Sequence, residues 1–269
     1  MPVAFDVMGI VNVTPDSFSD GGEWFQADAA IRHGLELAAA GATILDVGGE
    51  STRPGAAPVE ADEELRRVVP VIERLAKALP DVVLSVDTTK AAVAAAALDA
   101  GATYVNDVSA LRHDPEMLPL VAERGARCCL MHMRGEPRTM QQAPVYADVV
   151  DEVRRHLEQR IAVAIDAGIP LERIDVDPGI GFGKALDHNV ALLHRLDEIV
   201  AIGPRVVVGT SRKSFLGRLT GRDDPRQRLA GTIATNVLAL AAGARVFRVH
   251  DVGAIHDALA VAAHVVGGK

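Results

Sequence analysis

Three short polar side chains, Asp87, Asn106 and Asp177, each stand at the end of a run of β-branched residues. Carboxylates and an amide held on fixed backbone suit a flat heterocycle with several N–H donors and acceptors, because paired hydrogen bonds set its plane and register. A second set, Arg53, Lys213, Arg248 and His250, is cationic. Arginine presents a planar fork that matches phosphate oxygens, and lysine supplies a mobile point charge. Such a set implies a polyanionic ligand or leaving group. Asn12, together with a phosphate, offers the oxygen ligands that Mg²⁺ takes while keeping several waters. There is no Cys/His cluster with transition-metal spacing and no Ser/His/Asp or Cys/His arrangement for nucleophilic catalysis. Each residue also has a plainer use. Asp87 or Asp177 could pair with Lys213 or cap a helix, Asn106 could close a turn, and Thr88, Ser109 and Asp251 could act only as helix caps. His132 and His188 read as structural histidines.

What distinguishes the set is where it falls. Eight short, nearly continuous apolar runs (5–13, 43–47, 82–86, 104–108, 127–131, 174–176, 206–208 and 246–249) alternate with eight helix-like stretches (27–40, 61–79, 90–100, 115–124, 147–167, 189–201, 225–242 and 254–266). Continuous apolarity is expected of parallel strands covered on both faces. Glycine follows several helices, as in Arg124-Gly125-Ala126 and Ala242-Gly243-Ala244, where a left-handed cap is needed. Strand first and helix last, eight times, predict a closed (β/α)8 TIM barrel, α/β in class, over one domain spanning residues 1–269. An open doubly wound sheet is disfavoured because the first strand runs into Asn12-Val13-Thr14-Pro15-Asp16-Ser17, not G-x-G-x-x-G. All eight strands end in polar groups, more than capping alone requires. The long segments 12–26, 48–60 and 132–146 follow strands one, two and five, so loops and chemistry should share the C-terminal mouth.

Composition narrows the function classes. With 28 basic and 36 acidic residues the net charge is −8, which argues against a general nucleic-acid binder. Only 3% of residues are aromatic, so Ala, Val, Leu and Ile must do the packing. Cys128 and Cys129 are adjacent and would point to opposite faces of a strand, so they read as reduced, buried thiols of a cytoplasmic protein. The first residues lack a signal-peptide pattern, and no apolar run is long enough to span a bilayer, so no membrane partner is expected.

The motifs themselves resemble those of the dihydropteroate synthase family along essentially the whole chain. They are Met8-Gly9-Ile10-Val11-Asn12-Val13-Thr14-Pro15-Asp16-Ser17-Phe18, Asp46-Val47-Gly48-Gly49-Glu50-Ser51-Thr52-Arg53-Pro54-Gly55, Ser85-Val86-Asp87-Thr88, Asn106-Asp107-Val108-Ser109, Asp177-Pro178-Gly179-Ile180-Gly181-Phe182, Ser211-Arg212-Lys213 and Arg248-Val249-His250-Asp251, in that order. The resemblance implies a Mg²⁺-using homodimer that condenses 6-hydroxymethyl-7,8-dihydropterin diphosphate with 4-aminobenzoate. It implies that Asp87, Asn106, Asp177, Lys213 and Met131 hold the pterin. Asn12, Arg248 and His250 would hold the diphosphate, with Asn12 near the metal. Thr52, Arg53, Pro54, Phe18, Phe182 and Ser214 would shape the aminobenzoate pocket, and Asp87, Lys213 and Arg53 would carry catalysis. Two rivals remain: a methyltransferase on a pterin-binding barrel, which has no need of the cationic motifs, and a pterin-binding paralogue without synthase activity. The apolar stretches 229–242 and 254–266 either pack wholly on the barrel or also cover a partner.

Overall fold

The computed structural model describes residues 1–14, 23–51, 57–135 and 139–268, with backbone only for 23–26. The chain alternates strand and helix: β1 (Asp6–Asn12), α1 (Glu23–Ala39), β2 (Ile44–Gly48), α2 (Ala61–Ala78), β3 (Val83–Asp87), α3 (Ala91–Asp99), β4 (Tyr104–Asp107), α4 (Met117–Arg124), β5 (Arg127–Met131), α5 (Val149–Asp166), β6 (Ile174–Asp177), α6 (Leu186–His194), α7 (Leu196–Val200), β7 (Arg205–Val208), α8 (Ser214–Thr220), α9 (Leu229–Ala242), β8 (Val246–Val249) and α10 (Val252–Gly267). The strands are all parallel, in sequence order, and β8 closes on β1. The expected (β/α)8 barrel is therefore present, and every strand lies within one residue of its predicted ends.

Two apolar layers hold it. Val7, Leu45, Val86, Val105 and Phe247 point outward into the core shared with the helices. Their neighbours of opposite parity, Met8, Ile44, Tyr104, Cys129, Val207 and Val246, fill the barrel interior. Burial on both faces is what removed the period-two alternation from the sequence. Cys128 and Cys129 fall on opposite sides of this wall, free and buried, and burial pushes the Cys128 thiol up to about 12. Below the interior layer Asp175 accepts bonds from Tyr104 Oη (2.9 Å), Arg127 Nη1 (3.2 Å) and Arg205 Nε (2.9 Å). Arg205 also reaches Asp6 (2.6 Å), so ion pairs line the end opposite the mouth.

Helix ends depart further from expectation than strand ends, α1 beginning four residues before its predicted start and α9 four after, and the helices themselves differ in two places. The predicted helix 189–201 is two helices that meet at Arg195, whose guanidinium pairs with Asp148 and Glu198. A short helix, α8, was not foreseen. It contains Gly217, where a Cβ would come within 2.5 Å of the Arg222 carbonyl oxygen, so a residue that reads as a helix breaker permits a close packing. Gly125 and Gly243 do close their helices with φ of 55° and 111°.

Candidate active site

Side-chain alternation decides which strand-end residues face the mouth. Counting in twos from the interior layer, Asn12, Gly48, Asp87, Asn106, Met131, Asp177, Gly209 and Arg248 all share the inward parity. Asn12, Gly48, Asp87 and Asn106 are successive register partners across β1 to β4, and Met131 lies opposite Asp177. Asp107 has the other parity. Its carboxylate organises the next turn, accepting from Ser109 N (2.7 Å), Ser109 Oγ (2.9 Å) and Leu111 N (3.0 Å).

Acids and cations are not separate sets, contrary to the grouping drawn from sequence. Arg248 donates through Nε to Asp46 (2.7 Å) and through Nη2 to Asp87 (2.7 Å). Asp46 is fully buried and also accepts from Ser85 Oγ (2.6 Å) and Asn106 Nδ2 (3.0 Å). It therefore fixes both the amide and the guanidinium from below. The ion pair of Asp87 is with Arg248, not with Lys213. Burial pushes the Asp87 carboxyl up to about 7; Arg248 opposes this, while Asp46, Glu64 and Asp107 add to it. Burial also works against charge on Arg248, but Asp46 and Asp87 outweigh it and hold its pKa above the ordinary value. Asp177 is raised by burial and pulled back by Lys213, by the Gly179 N–H on Oδ1 (2.6 Å) and by Lys184.

Lys213 precedes α8 in a loop pinned at several points. Arg212 sits at φ 59°, held by an ion pair to Asp251, by Thr232 Oγ1 on its N–H (3.2 Å) and by Arg228 Nη1 on its carbonyl (2.9 Å). Asp251 thus serves Arg212 and makes no side-chain cap bond. Thr88 and Ser109 do bond nearby backbone N–H groups. The Lys213 ammonium donates to the Ile180 carbonyl and lies 4.4 Å from the centre of the Phe182 ring. Burial draws its pKa down to about 8, Asp177 opposing and Arg248 assisting. His250 Nδ1 is 3.0 Å from Ser211 Oγ, which also accepts the His250 N–H (3.2 Å). Ser214 is exposed at the start of α8. The structure thus gathers Asn12, Asp87, Asn106, Met131, Asp177, Phe182, Lys213, Ser214, Arg248 and His250 at strand ends or in the loops that follow them. Phe18, Thr52, Arg53 and Pro54 lie outside the described residues. Among the described residues there is no group of three or more His, Cys, Asp or Glu placed to hold a metal.

A family model for pterin binding enzymes matches residues 8–250. A dihydropteroate synthase of Escherichia coli (strain K12) is 48% identical over 263 residues, 98% of this chain and 92% of that one. The chain belongs to the dihydropteroate synthase family. A Xanthomonas albilineans dihydropteroate synthase solved in complex with 7,8-dihydropteroate is 50% identical, with a TM-score of 0.89 over 97% of this chain and 94% of that one. A Yersinia pestis synthase solved as a sulfonamide drug complex is 45% identical, with a TM-score of 0.92 over 98% and 95%. These likenesses weigh against the methyltransferase reading.

Sequence reasoning missed three features of this synthase site. Asp46 opens one of the motifs, but the motif alone does not mark it as the hub beneath the mouth. Its parity, two residues before Gly48, is the signal that could have found it. Lys184 is buried at 3% exposure, although lysine normally reads as surface. Gly48 and Gly209 keep the mouth floor open. A Cβ at Gly209 would meet only Arg248 Cβ and Asp177 Oδ2, both at 4.0 Å. Gly209→Ala should then be tolerated. Gly209→Val, whose methyls enter the space between acid and guanidinium, should weaken pterin affinity by about tenfold to a hundredfold in a fluorescence titration.

Proposed function

We propose that this ring of strand ends carries the dihydropteroate synthase reaction, with residues 1–269 acting as one domain. The chain condenses 6-hydroxymethyl-7,8-dihydropterin diphosphate with 4-aminobenzoate, giving 7,8-dihydropteroate and pyrophosphate for folate biosynthesis. One observation carries the residue assignment. Among the described residues, Asp87 Oδ1, Asn106 Oδ1 and Asp177 Oδ2 accept no hydrogen bond, while the other polar atom of each side chain is engaged by Arg248, Asp46 and Gly179 respectively. Three anchored side chains therefore each present one acceptor to the N–H edge of a pterin. Met131 gives the ring an apolar wall, and Lys213 stands beside it.

The diphosphate is assigned to Asn12, His250 and Arg248. Among the described residues, Arg248 Nη1 has no bonded partner once Nε and Nη2 are bonded to the acids. Ser211 Oγ bonds both the His250 N–H and Nδ1, which fixes the imidazole beside the mouth. Asn12 offers a single amide oxygen at the mouth, which fits a Mg²⁺ held mainly by phosphate oxygens and water. A Mg²⁺ held there would supply positive charge to offset that of the departing pyrophosphate. The C–O bond of the pterin methylene breaks with its electron pair going to pyrophosphate. Asp87 stabilises the delocalised cation electrostatically. The aniline nitrogen then supplies its lone pair for the new C–N bond and afterwards loses a proton. Phe182 and Ser214, with Phe18, Thr52, Arg53 and Pro54, are assigned to the aminobenzoate, a pocket that sulfonamides would contest.

The test is a pyrophosphate-release assay on the purified protein. Release should require both substrates, fall steeply when EDTA removes Mg²⁺, and be competed against 4-aminobenzoate by a sulfonamide. Pterin binding without turnover would instead favour the inactive paralogue. We assign the chain to the cytoplasm on its buried free thiols; among the described residues no helix is long and apolar enough to cross a membrane. A homodimer is supported by Leu238 on α9 and Val261 and Val265 on α10, exposed at 66%, 68% and 75%.

A further inference from the structure

The β6–α6 connection holds a lysine that the reaction does not use. Lys184 Nζ is enclosed and makes three contacts: His132 Nδ1 at 3.0 Å, His132 O at 3.3 Å and Phe182 O at 3.0 Å. Three donors meet three acceptors, so the ammonium is saturated. It has no ion-pair partner among the described residues. A buried cation without a carboxylate is costly, and apolar substitutes for buried charges are often as stable or more so. Stability alone therefore does not account for it.

Its acceptors lie next to the pterin pocket. His132 follows β5, and its N–H bonds the Asp177 carbonyl (3.0 Å). Phe182 belongs to a tight loop in which Gly179 N–H caps Asp177 Oδ1 and Phe182 N–H returns to Gly179 O (3.0 Å). The fit is close. Gly179 has φ of 67°, and a Cβ there would lie 1.9 Å from His132 O and 3.3 Å from Lys184 Nζ. The far side of the same loop serves Lys213, through the Ile180 carbonyl and the Phe182 ring. Asn189 fastens the loop on α6, accepting Gly181 N–H (2.6 Å) and donating to Lys184 O (3.3 Å).

We propose that Lys184 is a positioning residue for the pterin pocket, drawing the 179–183 loop onto the end of β5 so that Asp177 and Lys213 are held at fixed places around the ring. This rests on the placing of Asp177 and Lys213 in the pterin site given above. The geometry has an electrostatic counterpart. The titratable groups facing the ammonium are Asp177 on β6, Lys213 before α8, His132 after β5 and His156 on α5. Burial lowers the Lys184 pKa well below its ordinary value, with Asp177 opposing and Lys213 assisting. Burial holds His132 near 2, so it is the neutral acceptor the ammonium needs. Lys184 in turn helps keep Asp177 ionised.

The test compares Lys184→Met with wild type by fluorescence titration of 6-hydroxymethylpterin across pH. Pterin affinity should fall between about tenfold and a hundredfold. The acid limb of binding that remains in an Asp87→Asn background should move to higher pH, because Asp177 loses a cation that favours its charged form. The melting temperature should hold or rise. Unchanged affinity with an unchanged limb would overturn the proposal. Asp177→Asn separates the two readings: if it too leaves affinity intact, the pterin-site assignment has failed, not only the role of Lys184. Should Lys184→Met not fold, the wild type still decides. In ¹⁵N-lysine-labelled protein the exchange-protected Lys184 ammonium signal should shift when 6-hydroxymethylpterin binds, and an unmoved signal would overturn the proposal.

Discussion

Asp87→Asn should lower kcat/KM for the pterin diphosphate by about a hundredfold to a thousandfold, the usual cost of removing one preorganised group from a site of developing charge. The same change should erase the limb near pH 7 from the pH profile, leaving only the contribution of Asp177. Burial and the neighbouring acids raise this carboxyl to about 7, and kcat/KM reports the free enzyme. Wild type should therefore lose activity as pH falls through about 7, where Asp87 takes up a proton and can no longer face a cation. An alkaline limb near 8 should belong to Lys213, whose ammonium is drawn down by burial. The variant keeps the side chain's shape. Its stability effect follows from the sign of the shift. A carboxyl raised above 3.8 in the fold contributes stability below that pH and loses it as pH rises through about 7. At pH 8 the ionised group has lost that contribution, Arg248 included, so Asp87→Asn should melt at or above wild type. A variant with an intact acid limb and near-normal turnover would remove Asp87 from the mechanism.

The barrel was readable because a parallel strand buried on both faces leaves a short apolar run that no surface helix imitates, as at 127–131, where predicted and observed ends coincide. The mouth residues were readable because a full ring of polar strand ends exceeds what capping requires, although Asp107 shows that one such residue can serve only its own turn. Depth was not readable. Asp46 and Glu50 are both strand-two acids, yet one is sealed under Arg248 and the other pairs with Lys90 beside α2. The two share side-chain parity; what separates them is that Glu50 lies past the end of β2, where the chain has left the barrel wall. Pairing was not readable either, because Asp46 meets Arg248 across 202 residues of sequence. Sorting by charge therefore separated acids from bases that the fold interleaves. Lys184 escaped because a lysine after Gly183 looks like a loop residue. Only the close approach of Gly179 to His132 encloses it.

Asp46→Ala should be the most destabilising change at the mouth, by about 3–5 kcal/mol in denaturant unfolding, because it strips one partner from a buried ion pair. Three donors lose their acceptor at once: Ser85 Oγ, Asn106 Nδ2 and Arg248 Nε. Asp46→Asn is the more informative companion. With its oxygen turned to Asn106 and Arg248 and its amide to the Ser85 hydroxyl, asparagine can keep every hydrogen bond while losing the charge. Asp87 would then lose a like-charged neighbour that raises its pKa, and Arg248 would have that carboxylate to itself. Both effects favour the ionised form of Asp87. The acid limb of kcat/KM should therefore move to lower pH, so the variant keeps more of its own maximal activity at pH 6 than wild type does. A limb that moved upward, or stayed in place, would mean that Asp46 does not act on Asp87 through charge, and its role would reduce to holding Asn106 and Arg248 in position.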